Sequence, residues 1–166
     1  MKNIKMIILG AAAAAASLLA ACSSGTVRGV EYASSGSTDA LDNTTWEPIY
    51  VKDAPAYNRL PNENPRNNTP HVSFNSRGWG VYNVTGMGGV NRIAGRAEVQ
   101  PNGEINFSGM ASTMMAGPNM EFESRFTQAL TNSHYMINSG SQISLYDYSG
   151  GQLLITLRQI PNFPQD

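Results

Sequence analysis

The stretch "RIAGRAEVQPNGEINFSG", residues 92–109, contains two strand-like runs on either side of a turn. The turn is Pro-Asn-Gly at 101–103, where glycine supplies the positive φ that a tight hairpin needs. In the second run, Ile105 and Phe107 alternate with polar residues, so they share one face of a strand. The stretch therefore predicts an antiparallel β-hairpin with one apolar face.

Further strand-like runs lie on both sides of this hairpin, bounded by glycine, proline, serine and asparagine. They are "TTWEPIYV" (44–51), "HVSFN" (71–75), "GWGVYNV" (78–84), "HYMIN" (134–138), "ISLYDY" (143–148) and "QLLITLRQI" (152–160). Because most connections are short, antiparallel pairing is expected. The predicted fold class is α+β, a β-rich antiparallel sheet or open barrel of about 7–8 strands with one packed α-helix.

One segment, residues 118–132, has the pattern of a helix instead. Pro118 suits a first helical position. The apolar residues at 120, 122, 126, 129 and 130 fall near one stripe, and Glu121 and Glu123 are expected to lie away from it. This pattern predicts an amphipathic helix packed on the sheet.

Residues 1–21 have the features of a secretory signal. Two lysines precede an uncharged run over residues 6–20, which is too short to cross a bilayer as a helix. The segment ends in "LAAC" at 19–22, which resembles the bacterial lipobox. That resemblance implies diacylglycerol on the Cys22 thiol, cleavage before Cys22, and acylation of the new amine by a fatty acid such as palmitate.

The residues after the cysteine predict where the protein works. Ser23, by resemblance to known sorting behaviour, implies export to the outer membrane with the domain facing the periplasm. Residues 22–40 are rich in Ser, Gly, Thr and Ala and predict a lipidated, flexible tether. The predicted domain follows at 41–160, and residues 161–166 form a tail.

Charge and cysteine content exclude several classes of protein. Without the two lysines of the signal, the chain has 9 basic and 12 acidic residues, a formal charge of −3. This balance argues against nucleic-acid binding, which needs a basic surface. Cys22 is the single cysteine, so its acylation leaves no disulfide, cysteine metal site or cysteine nucleophile. We expect a monomer that reaches the membrane through Cys22.

The longest motif covers residues 84–130, "VTGMGGVNRIAGRAEVQPNGEINFSGMASTMMAGPNMEFESRFTQAL". It resembles the META-domain (HslJ-like) family of bacterial envelope lipoproteins in the order and spacing of its glycines, its "GEINF" strand and its Glu-bearing helix. The closing "LYDYSGGQLLITL" at 145–157 is also similar, and the likeness runs from Trp46 to Ile160. It implies a role in envelope stress or drug tolerance through binding a protein or envelope component.

The sequence departs from that family at its usual cysteine pair. Val90 stands where Gly-Cys-Asn is usual, and Gly117 stands where the second cysteine normally precedes the helix. The resemblance implies that these two positions lie close together. Neither residue is a metal ligand, so a metal site at these positions is excluded.

Three polar residues of the motif, Asn91, Thr113 and Glu121, are candidate binding residues. An alternative is an enzyme with a shallow site at Asn91, Ser112 and Thr113, although no histidine is adjacent in sequence and a hydroxyl bonded to the local backbone explains Ser112 and Thr113 as well. Glu121 and Glu123 are poorly placed as a catalytic pair, because residues i and i+2 of a helix point in different directions.

A structural role explains the remaining candidate residues, the histidines and methionines, better than metal binding or catalysis does. His71 and His134 lack ligands at metal-binding spacing and are expected to be polar ends of strands. The methionines at 110, 114, 115 and 120 are expected to fill the core, and the alternative is a methionine surface that binds a ligand. We therefore predict no metal, no cofactor and no catalytic residue.

The predicted function is that of an outer-membrane-anchored periplasmic lipoprotein with a non-catalytic META-like binding domain. A further alternative is an inhibitor of envelope or secreted proteases. That alternative would use residues 53–70, which are rich in proline and asparagine and predict a long surface loop.

Overall fold

The computed structural model describes residues 38–59 and 69–161. In these ranges the chain forms eight strands and one α-helix, preceded by a short 3₁₀ helix, Thr38–Leu41. In chain order the elements are β1 (Thr44–Val51), β2 (His71–Gly78), β3 (Val81–Met87), β4 (Arg92–Val99), β5 (Ile105–Ser112), α1 (Met120–Thr131), β6 (Tyr135–Asn138), β7 (Gln142–Tyr146) and β8 (Leu153–Gln159).

The eight strands form a single antiparallel sheet in the order β5-β4-β3-β2-β1-β8-β7-β6. The sheet curls until its two edge strands meet at one corner, which we call the seam (residues 103–105 and 134–136). There the Ile105 N–H donates to the His134 carbonyl at 3.1 Å, and the Met136 N–H donates to the Gly103 carbonyl at 2.8 Å. The α+β prediction is therefore confirmed in the form of a curled half-barrel with one helix.

The core fills the concave side of the sheet with alternate residues of its strands. Trp46, Phe74, Phe107 and Tyr82 are almost fully buried there. The Phe74 and Tyr82 rings meet edge to face with centroids 6.0 Å apart. Each such side chain stabilises the fold by roughly 1.5–3 kcal/mol through burial. The predicted hairpin is confirmed, because Ile105 and Phe107 both face this core.

The helix packs its predicted stripe on the open side of the half-barrel. Phe122, Phe126, Ala129 and Leu130 are buried, as the spacing predicts. Met120, the first residue of the predicted stripe, is exposed, and two further expectations are wrong. The helix begins at Met120, two residues after Pro118, and Glu123 is buried within the stripe with 5% of its surface exposed.

The β2–β3 connection also differs from prediction. The run "GWG" is predicted to belong to a strand. Gly78 is the last residue of β2, but Trp79 and Gly80 form the hairpin turn, and the three φ values are 85°, 56° and 75°. Just before β1, the Asp42 carboxyl accepts a hydrogen bond of 2.7 Å from the Ser76 N–H. The chain therefore enters the sheet beside the arm that carries this turn.

Several predicted segments lie wholly or partly outside the described residues. These are the signal at 1–21, Cys22 and most of the tether, residues 60–68 of the predicted loop, and residues 162–166 of the tail. The last residues of the predicted tether, from Thr38, belong to the 3₁₀ helix. Neither described helix has both the length and the apolar character that crossing a bilayer requires.

The described start of the predicted 53–70 loop packs against α1. The Tyr57 ring contacts the Phe122 ring edge to face, with centroids 5.4 Å apart. The Asn119 side chain accepts from the Asn58 N–H at 3.0 Å and donates to the Asn58 carbonyl at 2.9 Å. Asn119 makes no side-chain cap to its own helix, so it serves to attach this segment.

Candidate functional site

Asn91 lies at the end of the β3–β4 turn and only 1% of its surface is exposed. The turn is closed by a 2.8 Å hydrogen bond from the Gly88 N–H to the Asn91 carbonyl. Gly89, with φ of 136°, adopts backbone geometry that side chains disfavour. This glycine-rich turn directs the Asn91 side chain inward, toward the segment between β5 and α1.

The Asn91 amide group makes hydrogen bonds with three residues, two in that segment and one on α1. Its Oδ1 accepts from the Thr113 hydroxyl at 2.9 Å and from the Met115 N–H at 2.6 Å. Its Nδ2 donates to the Met115 carbonyl at 3.0 Å and to Glu123 Oε1 at 2.8 Å. Asn91 therefore connects the turn, the segment after β5, and the helix.

Glu123 completes this arrangement from α1. Its Oε2 accepts from the Val90 N–H at 2.8 Å and from the Asn91 N–H at 2.6 Å. Among the described residues no Lys, Arg or His forms an ion pair with Glu123, so three N–H donors are its partners. Hydrogen bonds in which a carboxylate accepts from N–H groups are among the stronger ones in proteins.

We call the group of Asn91, Thr113 and Glu123 the latch. The β3–β4 turn can lie this close to Glu123 because residue 88 is glycine. A Cβ added at Gly88 would lie 2.5 Å from Glu123 Cγ. None of the buried side-chain nitrogen or oxygen atoms in the described ranges lacks a partner. The polar groups of the latch are thus occupied by one another and by backbone, and their arrangement holds the 113–119 segment in place.

The candidate residues from the sequence are placed differently from one another. Asn91 and Thr113 are brought together in the latch. Glu121 is exposed on α1 and makes no side-chain hydrogen bond to any residue that the structure describes. Ser112 is exposed at the end of β5. Sequence reasoning missed Glu123, yet a signal was available. Glu123 lies seven residues before Leu130, so both occupy one face of the helix.

Val90 and Gly117 lie in contact, as the family resemblance implies. A Cβ added to Gly117 would lie 3.5 Å from the Val90 Cβ and 2.8 Å from its Cγ1. The Cβ–Cβ distance of 3.5 Å is at the lower end of the range for disulfide-bonded cysteines. The 2.8 Å distance to Cγ1 is a steric conflict between the added Cβ and the valine side chain. The two non-cysteine residues therefore match each other in size.

The latch borders an exposed group that we call the methionine surface (Met114, Met115 and Met120). These side chains are 100%, 57% and 42% exposed. The expectation that they fill the core is wrong, and among the four methionines only Met110 packs partly against it. The Met120 sulfur also lies 3.7 Å from Asn91 Nδ2, so the latch reaches the edge of this surface.

A cleft of about 460 Å³ lies between the end of β5 and α1. It is lined by Met110, Ala111, Ser112, Ser124, Thr127, Gln128, Thr131 and Asn132. These residues provide hydroxyl and amide groups but no imidazole, carboxyl, amine or thiol. The lining therefore offers no side-chain general base beside Ser112.

A larger cleft of about 650 Å³ lies at the seam. Its polar lining includes Glu98, Glu104 and His134, and Tyr148 stands at its edge with 63% of its surface exposed. Within 38–59 and 69–161, no three His, Cys, Asp or Glu side chains are grouped as a metal ion would require.

Comparison with known proteins finds similar solved structures and one matching family model. The protein from Burkholderia xenovorans, solved by NMR, is 22% identical with a TM-score of 0.53, over 75% of this chain and 87% of that one. A DUF4847 family protein from Bacteroides vulgatus ATCC 8482 is 16% identical with a TM-score of 0.47, over 79% of this chain and 100% of that one. No curated protein matches in sequence. The family model of the META domain matches residues 39–160, and the chain therefore belongs to the META domain family.

Proposed function

We propose that this chain is a lipid-anchored envelope protein whose META domain binds another envelope protein through the methionine surface, without catalysing a reaction. The observation that carries the proposal is the exposure of Met114, Met115 and Met120 beside a closed network of hydrogen bonds. Its role is in envelope stress or drug tolerance.

The latch supports binding more than catalysis. A general base or nucleophile must reach a substrate with an available polar atom. Here the Asn91 and Glu123 side chains are buried and bonded to each other and to backbone groups. Thr113 donates its hydroxyl proton to Asn91, and its Oγ1 accepts from the Arg92 N–H at 3.2 Å. These bonds favour a structural role for the three residues.

The methionine surface has the properties of an adaptable contact. Methionine is flexible and polarisable and is common at surfaces that bind partners of varied shape. Exposed apolar groups that cluster mark interaction sites more often than isolated ones do. Because Asn91 bonds both the N–H and the carbonyl of Met115, the backbone below this surface is held in one position.

The location is proposed from the sequence. Acylation of Cys22 would anchor the protein, and Ser23 would direct it to the outer membrane with the domain in the periplasm. A coil of residues 23–37 would hold the domain roughly 20 Å from its anchor. Partners at the inner face of the outer membrane would be within this reach.

The test is a comparison of two variants of the full chain in a deletion strain under envelope stress. Met114→Ser with Met115→Ser should fold normally, lose a captured envelope protein and fail to complement. The matched control is Ile49→Ser with Tyr50→Ser, which removes two exposed apolar side chains on β1. If both double variants retain the same captured protein and both complement, the methionine surface is not the binding site.

The seam cleft favours a second candidate, the binding of a small polar ligand. Two carboxyl groups, an imidazole and an exposed tyrosine ring converge on one concave site. A ligand that raises the melting temperature of the wild type but not of Glu104→Gln would favour this candidate. The inhibitor alternative depends on the loop at 53–70, of which residues 60–68 lie outside the described residues, and it stays a prediction.

A further inference from the structure

Trp79 has an environment opposite to that of the other tryptophan of the chain. Trp46 is 1% exposed in the core, whereas Trp79 is 102% exposed at the tip of the β2–β3 hairpin. An indole contributes to folding mainly through burial. Trp79 therefore contributes little packing to the domain that carries it.

The backbone at this position also disfavours a large side chain. Trp79 has φ of 56° between Gly78 at 85° and Gly80 at 75°. Glycine and asparagine are the residues that such hairpin turns favour, and a bulky residue there is strained. The fold thus gains from neither the exposure nor the conformation of this residue, and a role outside the domain explains its presence.

Hydrogen bonds nevertheless hold the base of the β2–β3 hairpin tip in place. The Gly80 carbonyl accepts from the Val99 N–H at 2.8 Å. With the Asn83 amide oriented to accept, its oxygen lies 2.9 Å from both Nε and Nη2 of Arg77. The hairpin therefore presents Trp79 on a stable base.

The tip projects from the end of the sheet at which the chain enters. Thr44, the first residue of β1, lies opposite Phe74, and β2 continues from there toward the turn. Ser76 bonds to Asp42, and the 3₁₀ helix Thr38–Leu41 contacts β2. The segment that leads back toward Cys22 is thus attached to the arm that carries Trp79.

The chemistry of the tip fits the interfacial layer of a bilayer. Indole is amphipathic and favours the level of lipid headgroups. Arg77 can contact lipid phosphate, but Asp42 and Glu98 are close by, since Glu98 lies opposite Val81. This mixed charge favours a zwitterionic surface over a strongly anionic one.

We propose that Trp79 inserts into the headgroup layer of the membrane as a second point of attachment. The proposal rests on the proposed lipid anchor at Cys22. A single indole binds membranes weakly on its own, but a tether turns the second contact into an intramolecular one with a high effective concentration. Insertion would fix the orientation of the domain, with the hairpin tip toward the lipid.

The experiment uses the two tryptophans as reporter and reference. The acylated protein is reconstituted into vesicles of equal parts phosphatidylcholine and phosphatidylethanolamine, with or without bromine on the acyl chains. Trp79 emission should shift to shorter wavelength, be quenched by the brominated lipid and be protected from acrylamide in the water. Trp79→Gly removes the indole and relieves the positive φ, so it should fold, co-float with vesicles and lose all three effects.

Failure of the anchor and failure of the insertion give different results. Co-flotation of the wild-type protein with vesicles shows that the protein is acylated. If the protein carries no lipid, its single thiol at Cys22 can be coupled to a maleimide phospholipid in the same vesicles. Vesicle-bound protein whose Trp79 emission stays accessible to acrylamide and insensitive to brominated lipid would overturn the proposal. It would instead assign the tip to a protein partner.

Discussion

Asn91 and Glu123 are joined by two hydrogen bonds, from Asn91 Nδ2 to Oε1 at 2.8 Å and from the Asn91 N–H to Oε2 at 2.6 Å. They are 32 residues apart in the chain, on the β3–β4 turn and on α1. The contact joins the helix to the sheet through polar groups, beside the apolar contacts of Phe122 and Phe126. Because both residues are buried, loss of either partner leaves polar groups unsatisfied.

Glu123→Gln tests the latch. Both carboxyl oxygens of Glu123 accept hydrogen bonds from N–H groups. The substitution replaces one of them with an amide NH₂ group, which is a donor and cannot accept from these N–H groups. We expect the free energy of unfolding in urea to fall by about 1–3 kcal/mol. The matched control is Glu121→Gln, two residues away on the exposed side of the same helix, which should change stability by no more than about 0.5 kcal/mol. Equal stability of the two variants would show that the buried bonds contribute nothing.

Val90→Cys with Gly117→Cys should restore a cross-link. The added Cβ lies 3.5 Å from the Val90 Cβ, which allows a disulfide, and the cross-link should raise the free energy of unfolding by about 3 kcal/mol. The double variant is made with Cys22→Ala so that no third thiol competes.

Gly117→Cys alone, also with Cys22→Ala, is the control, because its side chain meets Val90 Cγ1 at 2.8 Å and should destabilise the domain. A reducing agent should abolish the gain of the double variant. A double variant that stays reduced in air would contradict the expected proximity.

Phe126→Ala should create a large cavity beneath α1. Phe126 has no exposed surface, and its ring lies 6.1 Å from that of Phe122. We expect a loss of about 3–5 kcal/mol in the free energy of unfolding. Met120→Ala on the same helix, at a position 42% exposed, should cost far less. Similar losses in the two variants would contradict this assignment of the buried face.

Cys22→Ala should abolish the membrane anchor, because the chain has no other thiol to accept diacylglycerol. Cell fractionation and the mass of the intact protein are the measurements. Ser23→Asp is the companion variant, which should stay lipidated but move to the inner-membrane fraction. Recovery of Cys22→Ala in the outer membrane at the mature mass would contradict lipid anchoring.

The sequence by itself determined the local features of this fold. Alternation at Ile105 and Phe107, the Pro-Asn-Gly turn and the apolar stripe of α1 each follow from residues close together in the chain. Their order and spacing also indicated the family, and the family resemblance in turn implied the contact between Val90 and Gly117. These features could be predicted because strand and helix periodicity acts over a few residues.

Only the tertiary structure decided which polar and apolar side chains face inward. The helix pattern, interpreted by polarity alone, placed Glu123 outside, and the methionines were expected inside. The position of the Glu123 side chain depends on N–H donors of the β3–β4 turn, which lies more than thirty residues earlier in the chain. A buried carboxyl group is acceptable only where such donors converge, and convergence is a property of the folded sheet and helix together.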